Sequence, residues 1–504
     1  MTPGTLGSRV ERALKWSALT TVARFALQLG AQVALARILG PGNFGVYGIG
    51  MAVLTFAAFL SGASFSWNLM LVPSVSHDDI HFSFTWQLVA GLLSAAAIYL
   101  AAGATATFFG DPLIEGVMQW LALASLLMAA TGTATCLLQR DLNFRALGLI
   151  QLAGYAVGYL GVGVPMALAG QGANALAAAC VVQAAVTLVA SYAVKPHPVR
   201  PLFSHAGGGA ALTTGRTVFL TNVVNWLLSN LDRVVLGRVL NTHAVGLYSV
   251  AYNLAQIPNV LLVGALQPTF LAAGARLQGD RQRLSQGWLL GLACVLVLLT
   301  PASVVFALLA EDLVRLLYGP AWMESAWVLA LLFLCLPAWV CWGFTTPVLW
   351  NTGRKHLEYQ LQLPLLALAA PAWWLSASHG IRWAATVSAV VILARTGVII
   401  AAALKALDLR WSAIAPYLAR GLFLSALCAV AVRAGQHGVA GLAVPGASLF
   451  AGSLGASAAM LLVLAVRPQV LGPETLRALA RIFPAFRVRW ALPASPAEAE
   501  GPTR

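Results

Sequence analysis

The sequence predicts an all-α polytopic membrane protein of about fourteen transmembrane helices, set as two six-helix lobes plus two C-terminal helices. Three observations predict this. The 504 residues are 60% hydrophobic and only 9% charged, with a mean hydropathy of +0.81. A soluble protein carries about 25% charged residues, so water cannot solvate this surface. The apolar runs are about 20 residues long, the length that crosses a hydrocarbon core as a helix, and they lack the alternation of a membrane β-barrel. Finally, the chain repeats itself. Leu35, Arg37, Leu39, Gly45 and Tyr47 return as Leu236, Arg238, Leu240, Gly246 and Tyr248, each offset by 201 residues. A repeat of that length in so apolar a chain points to two equivalent bundles facing a cleft, a plan used by many transporters.

The expected spans are 17–38, 44–70, 83–108, 114–137, 146–169 and 172–194 in the first lobe. The second lobe takes 217–240, 245–270, 286–309, 325–350, 359–378 and 383–405, and the appended pair takes 412–433 and 440–466. The loops between them alternate in charge. Twenty-one of the 30 basic residues fall on one side, including Arg140, Arg145, Lys195, Arg200 and the C-terminal arginines. Five fall on the other: Arg37, Arg238, Arg315, Arg382 and Arg433. Basic loops stay cytoplasmic, so both termini are expected in the cytoplasm of a multi-pass bacterial inner-membrane protein. This placement also assigns the net charge of +14 to topology and lipid headgroups rather than to nucleic acid.

The domain boundaries follow the same pattern. The N-terminal lobe is 1–194, a cytoplasmic linker is 195–216, the C-terminal lobe is 217–410, two further helices are 411–466 and a cytoplasmic tail is 467–504. The linker holds three prolines and Gly207, Gly208 and Gly209. No strand precedes these glycines and no Lys-Ser/Thr follows, so they read as linker and not as a phosphate loop. The segment 473–490 alternates apolar residues with Arg477, Arg481, Arg487 and Arg489, which suits either an interfacial helix or a solvated tail. The N-terminus, with Arg9, Glu11, Arg12 and Lys15, lacks the pattern of a cleavable signal.

The candidate chemistry is sparse. Cys136, Cys180, Cys294, Cys335, Cys341 and Cys428 all lie in apolar runs without metal-ligand spacing, so they read as buried thiols; neither metal nor cofactor is expected. Paired carboxylates at a loop mouth and a nucleophile elbow are both missing from the sequence, so an enzyme is not expected. Asp232 is the acidic residue well inside an expected span. With Asn222, Asn225, Ser229, Asn230 and Arg233 it forms a polar stripe that either lines a substrate path or locks two helices through an Asp–Arg pair. Arg24, Gln28 and Gln32 form a second stripe on the first span, where Arg24 either faces the cleft or snorkels. Arg24 and Arg233 are not repeat mates: an offset of 201 carries Arg24 to Asn225 and Arg233 to Gln32. Guanidinium groups present paired donors to phosphate oxygens, so two of them on one cleft would suit a diphosphate. Arg395 could line the second lobe, and Arg420 reads as a snorkelling residue.

The segment NWLLSNLDRVVLGRVLNTHAVGLYSVAYNLAQIP at 225–258 resembles the seventh-span signature of Wzx-type bacterial polysaccharide exporters, of the superfamily that also holds MATE exporters and the lipid II flippase MurJ. The segments 34–49, 139–159 and 316–332 resemble corresponding regions, and together they cover the first ten spans. The resemblance implies two lobes that alternate between inward- and outward-facing states. It implies a cargo of oligosaccharide on an undecaprenyl diphosphate carrier, moved across the inner membrane for exopolysaccharide, capsule or O-antigen synthesis. It also implies work beside a polysaccharide polymerase and a chain-length regulator. Carried over, Arg24, Gln28, Asn225, Asn230, Asp232 and Arg233 are the candidate substrate residues. Arg37 and Arg238 are candidates for a gate or for turn structure. Alternative readings are a MATE-like antiporter of organic cations and a membrane polymerase or ligase.

Overall fold

The computed structural model describes residues 3–61, 69, 75–204, 209–277, 280–441, 444 and 446–482. The Gly207–Gly208 pair and the tail arginines Arg487 and Arg489 lie outside the described residues. The regular structure of the described residues is all helical, in the order α1 (Pro3–Ser61), α2 (His77–Phe109), α3 (Leu113–Arg140), α4 (Phe144–Leu168), α5 (Ala173–Val194) and α6 (Gly209–Val239). There follow α7 (Thr242–Arg276), α8 (Arg281–Leu308), α9 (Ala310–Leu317), α10 (Ser325–Leu334), α11 (Leu336–Asn351) and α12 (Leu357–Ala377). The series ends with α13 (Ile381–Ala406), α14 (Ala415–Gly438), α15 (Ala447–Val466) and α16 (Pro473–Ile482).

Ten helices among the described residues are long and apolar enough to cross a membrane, or eleven if α10 and α11, bent by 44°, make one span. The expected count of fourteen is not reached by this measure, for identifiable reasons. The first two expected spans run together as α1, which breaks at Gly40 (φ 70°) instead of ending there. Gly40 adopts the left-handed φ that a side chain resists, and Pro41 behind it opens the next helical arm without needing an N–H partner. Asn222, Asn225, Asn230, Asp232 and Arg233 make α6 too polar, and Gln360, Gln362 and two prolines do the same for α12.

The chain forms two compact units. The first comprises residues up to Ala251 together with Leu317–Ser325 and Leu366–Ser388. In this unit the α1 bend also builds its neighbour. Asn43 donates to the Leu39 carbonyl at 2.8 Å and accepts from the Ala173 N–H at 3.0 Å, capping α5. Such a cap satisfies a helix-end donor that would otherwise face hydrocarbon. Ser76 and Asp79 form a reciprocal capping box on α2. Residues 195–204 lie along α2: the Leu202 N–H donates to the Thr85 hydroxyl at 2.9 Å and the Trp86 indole donates to the Phe203 carbonyl at 3.2 Å. His197 packs between Phe84 and Tyr192.

The second unit comprises Tyr252–Leu316, Ala326–Leu365 and the chain from Ala389 onward. Its core joins Trp288, Leu292, Leu336, Val340, Phe344 and Leu424. The Trp288 indole donates to the Thr345 hydroxyl at 3.2 Å, which satisfies the polar end of a side chain with no exposure. The start of the expected tail is packed, not solvated: α16 buries Leu476 and Ala480, and Leu476 joins this same core. Lipid-facing leucines such as Leu100 (80% exposed) and Leu454 (69% exposed) mark the opposite behaviour, apolar surface that only a bilayer can cover.

Candidate functional site

The repeat copies meet inside the first unit. A Cβ built on Gly45 would run into the Thr242 carbonyl and sit 3.0 Å from the Gly246 nitrogen. One built on Gly246 would run into the Pro41 carbonyl and sit 3.0 Å from the Gly45 nitrogen. Gly48 faces Ser249, its own repeat mate, with the hydroxyl 3.2 Å from the same kind of position. Small residues at three-residue spacing let the second arm of α1 and the start of α7 approach backbone to backbone.

The tyrosine that follows each glycine anchors a separate network. The Tyr47 hydroxyl lies 2.8 Å from the Tyr159 hydroxyl, on the π-helical stretch Ala156–Gly163 of α4. Tyr159 stacks on Tyr155 with centroids 4.4 Å apart. Tyr248, fully buried, donates to Asp232 Oδ2 at 2.5 Å. The Ser388 hydroxyl donates to the same oxygen at 3.3 Å and itself accepts from the Trp373 indole at 3.0 Å. Asp232 Oδ1 accepts from the Arg233 N–H at 2.8 Å. Asp232 is 4% exposed, so a carboxylate that costs much to bury is met by three donors from α6, α7 and α13.

The neighbouring candidates have different surroundings. Arg233 reaches back to the Ser229 carbonyl at 3.5 Å and lines a cavity of about 330 Å³ with Trp226, Val53 and Phe108. Asn230 donates to the Trp226 carbonyl of its own helix at 3.0 Å, and Asn225 is half-buried on α6. On α1, Arg24 Nη1 donates to Gln151 Oε1 at 2.6 Å, while its Nε is buried with no hydrogen-bond partner among the described residues. Gln28 is half-buried one turn on, and Gln32 Nε2 is a second buried donor without a partner among the described residues. Buried donors of this kind are rare and need an explanation. Arg37 donates to the Leu317 carbonyl at 2.7 Å, beside the Phe44–Trp322 edge contact, and Arg238 lies over the Phe108 ring at 5.4 Å.

The second unit holds a polar cluster of which the sequence marked only Arg395. Glu358, 3% exposed, accepts from the Trp350 indole at 2.9 Å. Gln362 donates to the Glu358 carbonyl at 2.7 Å and accepts from Arg395 Nε at 2.5 Å. The Arg395 guanidinium lies 3.9 Å from the centre of the Trp342 ring. The available signal was the four-residue spacing of Glu358 and Gln362, which places both on one face of α12.

Residues 34–327 match the family described as "Polysaccharide biosynthesis protein". The chain belongs to that family. Among the relatives of this family member is the "Succinoglycan biosynthesis transport protein ExoT" of Rhizobium meliloti (strain 1021). It is 29% identical over 334 residues, 66% of this chain and 67% of the relative. Another is the "Lipopolysaccharide biosynthesis protein WzxC" of Escherichia coli (strain K12), 25% identical over 63% of this chain and 65% of the relative. Among solved structures, the lipid II flippase MurJ in an inward closed conformation superposes with a TM-score of 0.63 at 12% identity, covering 89% of this chain and 98% of that one. An inward-facing multidrug resistance MATE family transporter gives 0.60 at 12% identity, covering 76% and 94%. The family member thus has the all-helical fold of the MurJ and MATE structures and is similar in sequence to the transport protein ExoT and to WzxC.

Proposed function

We propose that this chain is a flippase for an undecaprenyl-diphosphate-linked oligosaccharide, working by alternating access in the bacterial inner membrane with both termini cytoplasmic. The aligned parts span about two thirds of the ExoT and WzxC relatives, whose names tie them to succinoglycan and lipopolysaccharide biosynthesis. The observation that carries the reading is Arg24, a cation on a membrane helix whose Nε is a buried donor without a partner among the described residues. A polar head needs a wet path with donors along it, because unmet hydroxyls and phosphates in hydrocarbon are costly, while the lipid tail stays in the bilayer. Arg24, Gln28, Asn225, Asn230 and Arg233 are the proposed contacts. Asp232, held by Tyr248 and Ser388, is the proposed group for any ion coupling.

The proposed organisation keeps lobes at 1–194 and 217–410, the linker at 195–216, and a polymerase and chain-length regulator as partners. A MATE-like antiporter of organic cations is the second reading, supported by the fold. Arginines on the transport path would repel such a cargo.

The test is surface polysaccharide export in a deletion strain. Arg24→Ala and Arg233→Ala are each expected to abolish export with membrane levels unchanged, and lysine at either site to restore part of it, since charge survives but the planar fork does not. Wild-type export from both alanine variants would remove these arginines as cargo ligands.

A further inference from the structure

The cavity beside Arg233 lies wholly within the first unit, between the second arm of α1, the last turns of α2 and the middle of α6. Its walls include Val53, Ala104, Phe108 and Trp226, and Arg233 is the single charged residue in its lining. Trp226 is held in place by an indole bond to the Thr55 hydroxyl at 3.2 Å and by packing on Phe56. Thr105, the one neutral hydroxyl in the lining, is already bonded to the Ala101 carbonyl at 2.7 Å. The cavity therefore offers almost nothing to a sugar. On the α2 side it adjoins surface made of Tyr99 (57% exposed), Leu100 and Phe108 (46% exposed), which only lipid can cover.

A second cation marks the rim. Arg238, one and a half turns beyond Arg233 near the end of α6, rests on the face of Phe108, a residue of the cavity wall. Arg233 thus shares the cavity lining with Phe108, and Arg238 lies over the same ring. Apolar walls with one cation in the lining and a second over a wall residue match an amphiphile with an apolar chain and an anionic head. They reject an organic cation by charge and a free phosphate by desolvation.

We propose that this cavity is a binding site for an acidic phospholipid of the bilayer. Its chain lies along Val53, Ala104 and Trp226, and its phosphate meets Arg233 with Arg238 at the rim. Arg233 is common to this site and to the proposed export path, whereas Arg24 is not among the lining residues, so Arg24 variants separate the two readings.

The experiment uses the full chain in nanodiscs containing trace phospholipid with a photoreactive diazirine in one chain, followed by peptide mapping. Phosphatidylglycerol, phosphatidylcholine and polyprenyl phosphate are compared at equal mole fraction. Labelling by phosphatidylglycerol of the α2 and α6 peptides that line the cavity is expected to exceed that by phosphatidylcholine roughly tenfold, the ratio worth about 1.4 kcal/mol. Arg233→Gln should erase the preference, and Arg233→Lys should keep most of it. Ala104→Phe should abolish labelling at these peptides by filling the cavity. Equal labelling by the two phospholipids overturns the proposal, as does labelling that survives Ala104→Phe in protein of unchanged helicity. Labelling by polyprenyl phosphate alone also overturns it and assigns the cavity to a carrier lipid. Wild-type export from Arg24→Ala with intact phosphatidylglycerol labelling counts against the export reading and leaves this one standing.

Discussion

Gly45 and Gly246, equivalent positions of an internal repeat 201 residues apart, lie against each other, each with its Cα hydrogens facing the other copy's backbone. The contact is self-complementary: Gly45 abuts Thr242, Gly246 abuts Pro41, and the two glycine nitrogens are reciprocal neighbours. No side chain fits there, since the obstructing atoms are backbone carbonyls with no rotamer to change.

Gly45→Ala and Gly246→Ala should therefore each destabilise the first unit by about 3 kcal/mol or more, at or beyond the upper end of ordinary overpacking. Gly264→Ala, where a Cβ meets nothing within 4 Å, is the control and should be nearly neutral. Thermal melting of the detergent-solubilised protein, followed by size-exclusion fluorescence, distinguishes the three.

The Asp232 network predicts an ordered series. Tyr248→Phe removes one of two hydroxyl donors from Oδ2 and should cost about 1–3 kcal/mol. Ser388→Ala should cost less, because its bond to Asp232 is the longer one at 3.3 Å. The double variant should lose more than the sum, since the last side-chain donor to that buried oxygen goes with it. Additive losses would show that these hydroxyls do not share one carboxylate.

Arg395→Lys tests the cluster in the second unit. Lysine keeps the charge but loses both the Nε bond to Gln362 and the flat stack on Trp342. A loss of about 1–3 kcal/mol is expected, read as a lower melting temperature. Gln362→Glu in the Arg395 background should raise it, by giving the guanidinium an anionic acceptor.

His197 supplies a pH dependence outside the membrane spans. Burial holds its imidazole below the ordinary value of 6.5, nearby His81 adds to this, and the Pro198 carbonyl opposes it. The folded chain thus favours neutral His197, and in the window below 6.5 the unfolded chain binds more protons. Stability from this residue is present above that window and is lost as the pH falls through it. His197→Phe, which keeps a ring between Phe84 and Tyr192, should flatten the change in melting temperature between about pH 7.5 and pH 5.5.

Much of the fold was legible because hydrocarbon imposes a simple rule on sequence: long apolar runs must be helices. The bend at Gly40–Pro41 was less legible, since a turn and a kink within a continuous helix use the same residues. The polar stripe on α6 was legible as a set, but not in its division. Asp232 turns to Tyr248 and Ser388, whereas the adjacent Arg233 turns to the cavity. Consecutive helical positions differ by about 100° in direction, and which neighbours fill each direction depends on packing. Glu358 escaped notice because it sits at the edge of an apolar run, where a carboxylate ordinarily reaches water.

The sequence by itself determined the membrane class, the repeat and the family resemblance, because composition, periodicity and internal similarity are properties of the chain alone. The tertiary structure decided what the repeat is for. It set Gly45 on Gly246, sent Tyr47 to Tyr159 and Tyr248 to Asp232, and put Arg233 in an apolar cavity and Arg24 beside Gln151. These partners lie up to 201 residues apart, and only the close packing of helices brings such distant donors, acceptors and backbones within reach.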